Sequence, residues 1–455
     1  MDNYQEIFNL QKDYFNKNNT YSYIFRKEML KKLYNMIKLN SDSLCEALNK
    51  DLGKSNVESY MCEVGLLLMH IKKAIKQLKK LMKPKKVHTE IFNFPAKSKI
   101  LYDPYGVTLI ISPWNYPLLL ALDPLIGAIS GGNTAVIKLS EYSVHTSKLL
   151  KSLINETFNK EYIYAYDGDA SECSTILELP FDFIFFTGST KVGKIVLEKA
   201  SAHLTPVCLE LGGKSPCIIT KDADLRLAAR RIVFGKILNA AQTCVAPDYI
   251  YIDETIKDEF ITYLIDEILD KLGENPCLNP DYPKIISQKH LDRLINLIDK
   301  TKLRYGGKTL NQKLEPTILD NVSFDDQVMQ EEIFGPILPV VTYKNIYDVY
   351  SKLKNSPTPL ALYLFTNDNK IINEVTTYIR FGGGCINDTI MHLSSDNLPF
   401  GGVGESGMGN YHGKYSFYTF THPKSILNKS TKMDIKLRYY PYTNKKEKLI
   451  KKILK

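Results

Sequence analysis

Nothing in this chain resembles a zinc ribbon, a redox CxxC pair or a disulfide framework. Its eight cysteines, at positions 45, 62, 173, 208, 217, 244, 277 and 385, are scattered through 455 residues without ligand-like clustering. No metal site is expected. The opening Met1-Asp2-Asn3-Tyr4-Gln5-Glu6 lacks the basic-then-apolar pattern of a secretory signal, so a cytoplasmic protein is the default expectation. No apolar run is long enough to cross a bilayer uninterrupted: the most apolar stretch, residues 107–139, is broken by Pro113, Asn115, Pro117, Asp123 and Pro124. Repeats at solenoid periods are absent too. The net charge of +9 comes without the interleaved aromatic and basic pattern of a nucleic-acid groove, which argues against that partner and for solvated helix faces.

What is present is ordinary globular composition, 44% hydrophobic and 24% charged, in a chain long enough for two or more domains. Residues 5–81 carry apolar positions at helical spacing, among them Leu30, Leu33, Met36 and Ile37. Pro84 closes this opening, and residues 87–105 read as extended strands around Pro95. From Gly106 the pattern changes to buried parallel strands alternating with helices, beginning with Val107-Thr108-Leu109-Ile110-Ile111. This predicts a doubly wound α/β unit, with a second α/β unit from Ser215 to about Asp388.

Function in such folds is expected at the carboxyl ends of the strands. Asn115, Lys138 and Thr187-Gly188-Ser189-Thr190 follow strand-like runs directly. A helix over residues 225–240 leads to Asn239-Ala240-Ala241-Gln242-Thr243-Cys244, just before another strand-like run. A cysteine at that junction has free backbone N–H groups beside it and suits a nucleophile, although a lone cysteine more often packs as a small hydrophobe. Gly402-Val403-Gly404-Glu405-Ser406-Gly407 has dinucleotide-fingerprint spacing but neither a preceding strand nor a following helix, so it reads as a tight loop rather than a cofactor site.

Together the motifs Ile111-Ser112-Pro113-Trp114-Asn115-Tyr116-Pro117, Phe186-Thr187-Gly188-Ser189-Thr190, Glu210-Leu211-Gly212-Gly213-Lys214, Gln242-Thr243-Cys244, Glu332-Ile333-Phe334-Gly335-Pro336 and Pro399-Phe400-Gly401-Gly402 resemble aldehyde dehydrogenases in order and spacing. The class-3 or fatty-aldehyde branch is the nearest likeness, and the resemblance spans roughly residues 5–440. It implies an α/β fold with a Rossmann-type NAD(P)-binding domain (1–86 and 106–211), an α/β catalytic domain (212–388), a β oligomerisation element (87–105 and 389–435) and a basic tail (436–455). It further implies Cys244 as nucleophile, Glu210 as general base, and Asn115 with the Cys244 N–H as oxyanion donors. NAD or NADP would be held by Trp114, Lys138, Glu141, Gly188, Ser189, Val192, Glu332 and Phe334. Glu141, a carboxylate suited to a free ribose hydroxyl, mildly favours NAD.

The implied reaction is oxidation of a medium- or long-chain aliphatic or aromatic aldehyde to its acid by a homodimer. A coenzyme A-acylating enzyme and a non-catalytic relative are the alternatives. Two residues depart from the family pattern: Leu139 replaces a usual proline, and Ala241 a usual glycine. The tail, with Leu449, Ile450, Ile453 and Leu454 among lysines, could touch an anionic membrane surface, or simply pack on the protein or fray. A reactive Cys244 should be alkylated by iodoacetamide ahead of the other cysteines.

Overall fold

The computed structural model describes residues 4–454; Met1, Asp2 and Asn3, the first part of the opening read for a signal, and the final Lys455 of the tail lie outside them. Apolar β-branched runs form the spine of a six-stranded sheet, ordered Gly407–Met408, Val207–Glu210, Phe183–Thr187, Val107–Ile111, Thr134–Leu139, Ile163–Asp167. All its pairings are parallel except that of the Gly407–Met408 edge. Val107–Ile111, Thr134–Leu139 and Phe183–Thr187 are buried at every position, as strands covered by helices on both faces must be. The register sets Ile111 opposite both Lys138 and Phe186, and Thr187 opposite Glu210, so the carboxyl ends of these strands come level along one rim.

A seven-stranded sheet follows, ordered Leu303–Tyr305, Thr317–Leu319, Ile337–Tyr343, Tyr249–Asp253, Pro216–Ile219, Ala361–Phe365, Gly383–Ile386. A separate antiparallel sheet joins Lys85–Val87, Ala96–Pro104 and Thr421–Lys429. Among the described residues no helix is long and apolar enough to cross a membrane.

The elements differ from the sequence reading in instructive places. The helical opening is not continuous: Tyr23–Leu39, Ser41–Leu52 and Gly65–Leu81 are separate helices, and a π-helical turn, Tyr60–Val64, precedes the last. The stretch expected to be extended around Pro95 contains a 3-10 turn, Ile91–Asn93. Leu139, in place of proline, can donate its N–H to the sheet, and the strand accordingly runs on through it to pair with Asp167. The glycine loop at 401–409 contributes the two-residue strand Gly407–Met408, with Gly407 paired to Glu210. The expected helix at 225–240 stops at Ile237, and Asn239, Ala240 and Ala241 then turn left-handed at φ +50°, +48° and +56°. Such a conformation crowds a Cβ against its own backbone and is rare for three successive non-glycine residues.

Candidate active site

Three loops meet at Cys244. One is the 112–117 loop that leaves the Val107–Ile111 strand. Asn115 on it is buried, and its Nδ2 donates to the Gln242 carbonyl at 2.9 Å, which leaves its second amide N–H unspent. Its neighbour Tyr116 is also tied across, its hydroxyl lying 2.8 Å from Thr243 Oγ1. Gln242 in turn is pinned at both ends, Nε2 donating to Asn239 O and Lys284 O and Oε1 accepting from Ile286 N–H. The left-handed turn is what folds these groups back on one another immediately before the cysteine.

The Cys244 side chain is half-buried. Burial, then the charges of Glu332 and Glu210, push its thiol well above the ordinary range, while the N–H groups of Cys244 and Val245 pull it back. Those two N–H groups are what a thiolate, or the oxyanion formed beside it, requires.

The second loop delivers Glu210 at the end of the Val207–Glu210 strand. Its carboxyl is buried and held far above the usual carboxylate range by desolvation. One oxygen accepts a long bond from the Cys208 thiol, 3.7 Å, two residues back on the same face of the strand; the other, Oε2, has no partner within the chain. A poorly solvated carboxyl whose pKa is raised is a stronger base once ionised, and so suited to take a proton from water.

The third loop carries Glu332. Burial and the nearby Asp248 raise its carboxyl to about 8, against the pull of the Gly213 N–H, Lys214 and Arg293. Its approach depends on a missing side chain: a Cβ on Gly212 would lie 2.0 Å from Glu332 Oε2. Phe334, at φ +50°, packs its ring edge-on to Trp114 at 5.3 Å. Trp114 also packs against His290 at 5.1 Å.

Farther along the rim, buried Lys138 pairs with exposed Glu141 at 2.9 Å. Gly188 and Ser189 form the turn into the helix Thr190–Ser201, with Ser189 Oγ capping Val192 N–H. Val192 itself is exposed on the first turn of that helix. A dinucleotide fits this rim: Lys138 and Glu141 can bond ribose hydroxyls, and the helix N-terminus favours a phosphate. Thr187 Oγ1, buried without a partner beside Gly188, adds a polar group free to bond. Among the described residues no group of three or more His, Cys, Asp or Glu could hold a metal.

The sequence-predicted residues therefore fall into one cluster around Cys244 (Asn115, Glu210, Glu332) and one along the rim (Lys138, Glu141, Gly188, Ser189, Val192), with Trp114 and Phe334 meeting through their rings. Residues that the sequence did not single out also reach the site: Lys54, Glu58, Glu63 and His290. Only the run of Lys54, Glu58 and Glu63 within an otherwise apolar-patterned opening could have drawn attention.

The aldehyde dehydrogenase family pattern matches residues 2–426. The chain belongs to the aldehyde dehydrogenase family. It is an NAD(P)-dependent aldehyde oxidoreductase, and its relatives include class-3 members. A Staphylococcus aureus protein named 4,4'-diaponeurosporen-aldehyde dehydrogenase is 48% identical over 97% of both chains. Aldehyde dehydrogenase family 3 member A2 of Rattus norvegicus is 42% identical over 93% of this chain and 88% of its own. Among solved structures, a substrate-bound state of Staphylococcus aureus AldH superposes with a TM-score of 0.98 at 47% identity, covering 100% of both chains. Betaine aldehyde dehydrogenase from Staphylococcus aureus, solved in complex with NAD+, matches with a TM-score of 0.83 at 27% identity over 95% of this aldehyde dehydrogenase and 88% of that chain.

Proposed function

We propose that this aldehyde dehydrogenase oxidises a medium- or long-chain aliphatic or aromatic aldehyde through a thioester on Cys244, which Glu210 then hydrolyses. The observation that carries the reading is the convergence on Cys244 of two backbone N–H groups, the Asn115 loop and the carboxyls of buried Glu210 and half-buried Glu332. Nothing in folding requires that combination.

Hydride does not leave a flat carbonyl readily, and a tetrahedral adduct solves the problem. The Cys244 thiolate attacks the aldehyde carbon, and the resulting oxyanion takes N–H bonds from the unspent Asn115 amide and the Cys244 backbone. The bound nicotinamide supplies the hydride acceptor. Loss of hydride from the adduct leaves a thioester; Glu210 takes a proton from water, the hydroxide adds to the acyl carbon, and the acid departs as Cys244 recovers its thiolate. Lys138, Glu141, Gly188, Ser189 and Val192 hold the adenosine and pyrophosphate end of the cofactor, and Trp114, Glu332 and Phe334 its nicotinamide ribose. The relative named for a diaponeurosporen aldehyde supports a long apolar substrate.

The test is reduced-nicotinamide formation with straight-chain aldehydes and each cofactor. Cys244→Ala should give none. Glu210→Gln should give one turnover and then stall as an acyl-enzyme that hydroxylamine releases. Wild-type rates in either variant, or acyl-CoA as the product when coenzyme A is added, would sink the proposal.

A homodimer is the proposed assembly. The nine-residue strand Thr421–Lys429 is paired on one side only and largely exposed, an edge that a second copy would cover. A weak contact with anionic membranes is proposed for the helix Asn444–Ile453, where Leu449 and Ile453 are exposed among lysines. Light scattering, and sedimentation with anionic against neutral vesicles, test these two points. All eight cysteines are unpaired, which suits the cytoplasm as the proposed location.

A further inference from the structure

A buried charge network bonds the segments that build the site. Lys54 and Glu63 are both fully inaccessible and pair at 2.7 Å. Glu63 spends its other oxygen on the N–H groups of Leu118 and Leu119, at 3.0 and 3.1 Å, where the 112–117 loop enters its helix. Lys54 donates a further bond to the Asn115 carbonyl at 3.0 Å and lies 4.0 Å from the centre of the Tyr116 ring. Glu58, also buried, accepts the Asn239 N–H at 2.8 Å, at the first residue of the left-handed turn. The π-helical turn Tyr60–Val64 makes i→i+5 bonds, which rotates Glu63 onto the same inward side as Glu58.

The two anchored segments are closed into a ring. Asn239 Nδ2 donates to Asn115 O at 2.8 Å and to Gln242 O at 3.1 Å, and Asn115 Nδ2 donates to that same Gln242 carbonyl. Both lone pairs of the Asn115 carbonyl are therefore taken, one by Asn239 and one by Lys54. A displaced Asn115 carbonyl would carry its amide with it.

We propose that Lys54 and Glu58 are positioning residues for aldehyde oxidation: they lock the Asn115 loop to the strained turn that precedes Cys244. The proposal rests on the reading of Cys244 as nucleophile and Asn115 as oxyanion donor. A buried ion pair contributes little net stability compared with apolar side chains of the same volume. Its use here is geometric: Lys54 reaches a carbonyl that no apolar side chain could hold. Glu58 is likewise kept at a cost to its own solvation, which raises its carboxyl to about 7 against the pull of Lys54 and the Asn239 N–H, with Glu63 and Asp281 repelling it. Three left-handed residues in succession have every reason to relax, and Glu58 holds the first of them.

The measurement is the single-turnover rate and yield of reduced nicotinamide with enzyme in excess over aldehyde, beside cofactor affinity and thermal midpoint. Lys54→Met is combined with Glu63→Gln so that neither member of the pair is left as a lone buried charge and the side-chain carbonyl at position 63 can still accept the Leu118 and Leu119 N–H groups. The double variant should keep full yield and cofactor affinity while its rate constant falls about 10- to 100-fold, as expected for a misplacement near an ångström. Glu58→Gln, which can still accept the Asn239 N–H, should stay within a few-fold of wild type, and Glu58→Ala should fall as far as the double variant. The Glu58 comparison decides whether or not the double variant folds. A wild-type rate constant per active site in Glu58→Ala, with only yield or thermal midpoint lowered, would overturn the proposal and leave a merely structural role. Failure of the underlying reading is visible separately, as wild-type inactivity or as activity in Cys244→Ala.

Discussion

Gly212→Ala is the perturbation whose consequence the structure defines most sharply. A Cβ there would meet three atoms first, all of them in one carboxylate: Glu332 Oε2 at 2.0 Å, Cδ at 2.7 Å and Oε1 at 2.8 Å. The nearest atoms all belong to one side chain, so it yields, and Glu332 must retreat by about an ångström or more from the turn whose Gly213 N–H lowers its pKa. Weakening a contact with a carboxyl that is largely neutral at pH 7 removes roughly 0.5–1.5 kcal/mol of stability. With unfolding entropy near 2 cal/mol/K per residue, a chain of this length would lower its thermal midpoint by only about 0.5–1.5 °C. Function should suffer more, because a misplacement of this size costs up to about 100-fold in rate. The assay is a double-mutant cycle on kcat/KM for the cofactor. Gly212→Ala and Glu332→Ala should each lower it by about 10-fold or more, and the double variant no further than Glu332→Ala alone. Additive losses, or a Gly212→Ala enzyme with wild-type kinetics, would refute the reasoning that this glycine exists to admit Glu332.

At Ala241, valine should lower the denaturant midpoint, since a β-branched side chain in a buried left-handed site costs roughly 2 kcal/mol or more. Glycine there should stay within about 1 kcal/mol of wild type, because relief of the left-handed strain is offset by lost methyl burial and a freer unfolded chain. His70 contacts Asp123 at 2.7 Å and Asp396 at 3.2 Å; burial lowers its pKa, but these carboxylates outweigh it and raise it to about 10. A raised histidine stabilises fully below its unfolded value of about 6.5, and that contribution fades above it and is gone once pH passes about 10. Thermal midpoints should therefore fall between neutral pH and pH 10 more steeply in wild type than in His70→Gln; parallel curves would count against the ion pairs. Finally, without cofactor at neutral pH, iodoacetamide should reach half-buried Cys173 and Cys385 before Cys244, contrary to the expectation from sequence, because burial raises the Cys244 thiol further than theirs. Above about pH 8, where the Glu332 carboxyl is ionised, Glu332→Gln should speed its alkylation, and an unchanged rate would show that Glu332 does not act on the thiol.

The parallel strands were legible in the sequence because burial on both faces demands continuous apolar β-branched runs, and such runs at 107–111 and 183–187 admit no other reading. The motif residues at their ends were legible as well, since a strand of fixed length delivers its last residue to a fixed rim. The two-residue strand Gly407–Met408 was not: its pairing with Glu210 is made by a partner nearly two hundred positions away, and so short a strand carries no periodicity of its own.

Local pattern and motif order were enough for the sheet-forming runs, the family and the chemistry expected of Cys244, Glu210 and Asn115. How that chemistry is held emerged only in three dimensions. Ala241 could be read only as a departure until the fold placed it at φ +56°, and Lys54 and Glu58 looked like solvated helix charges until the π-helical turn and two packed helices buried them against Asn115 and Asn239. The physical reason is the same in each case. Burial and backbone strain belong to contacts between distant segments, and no window of sequence contains both partners.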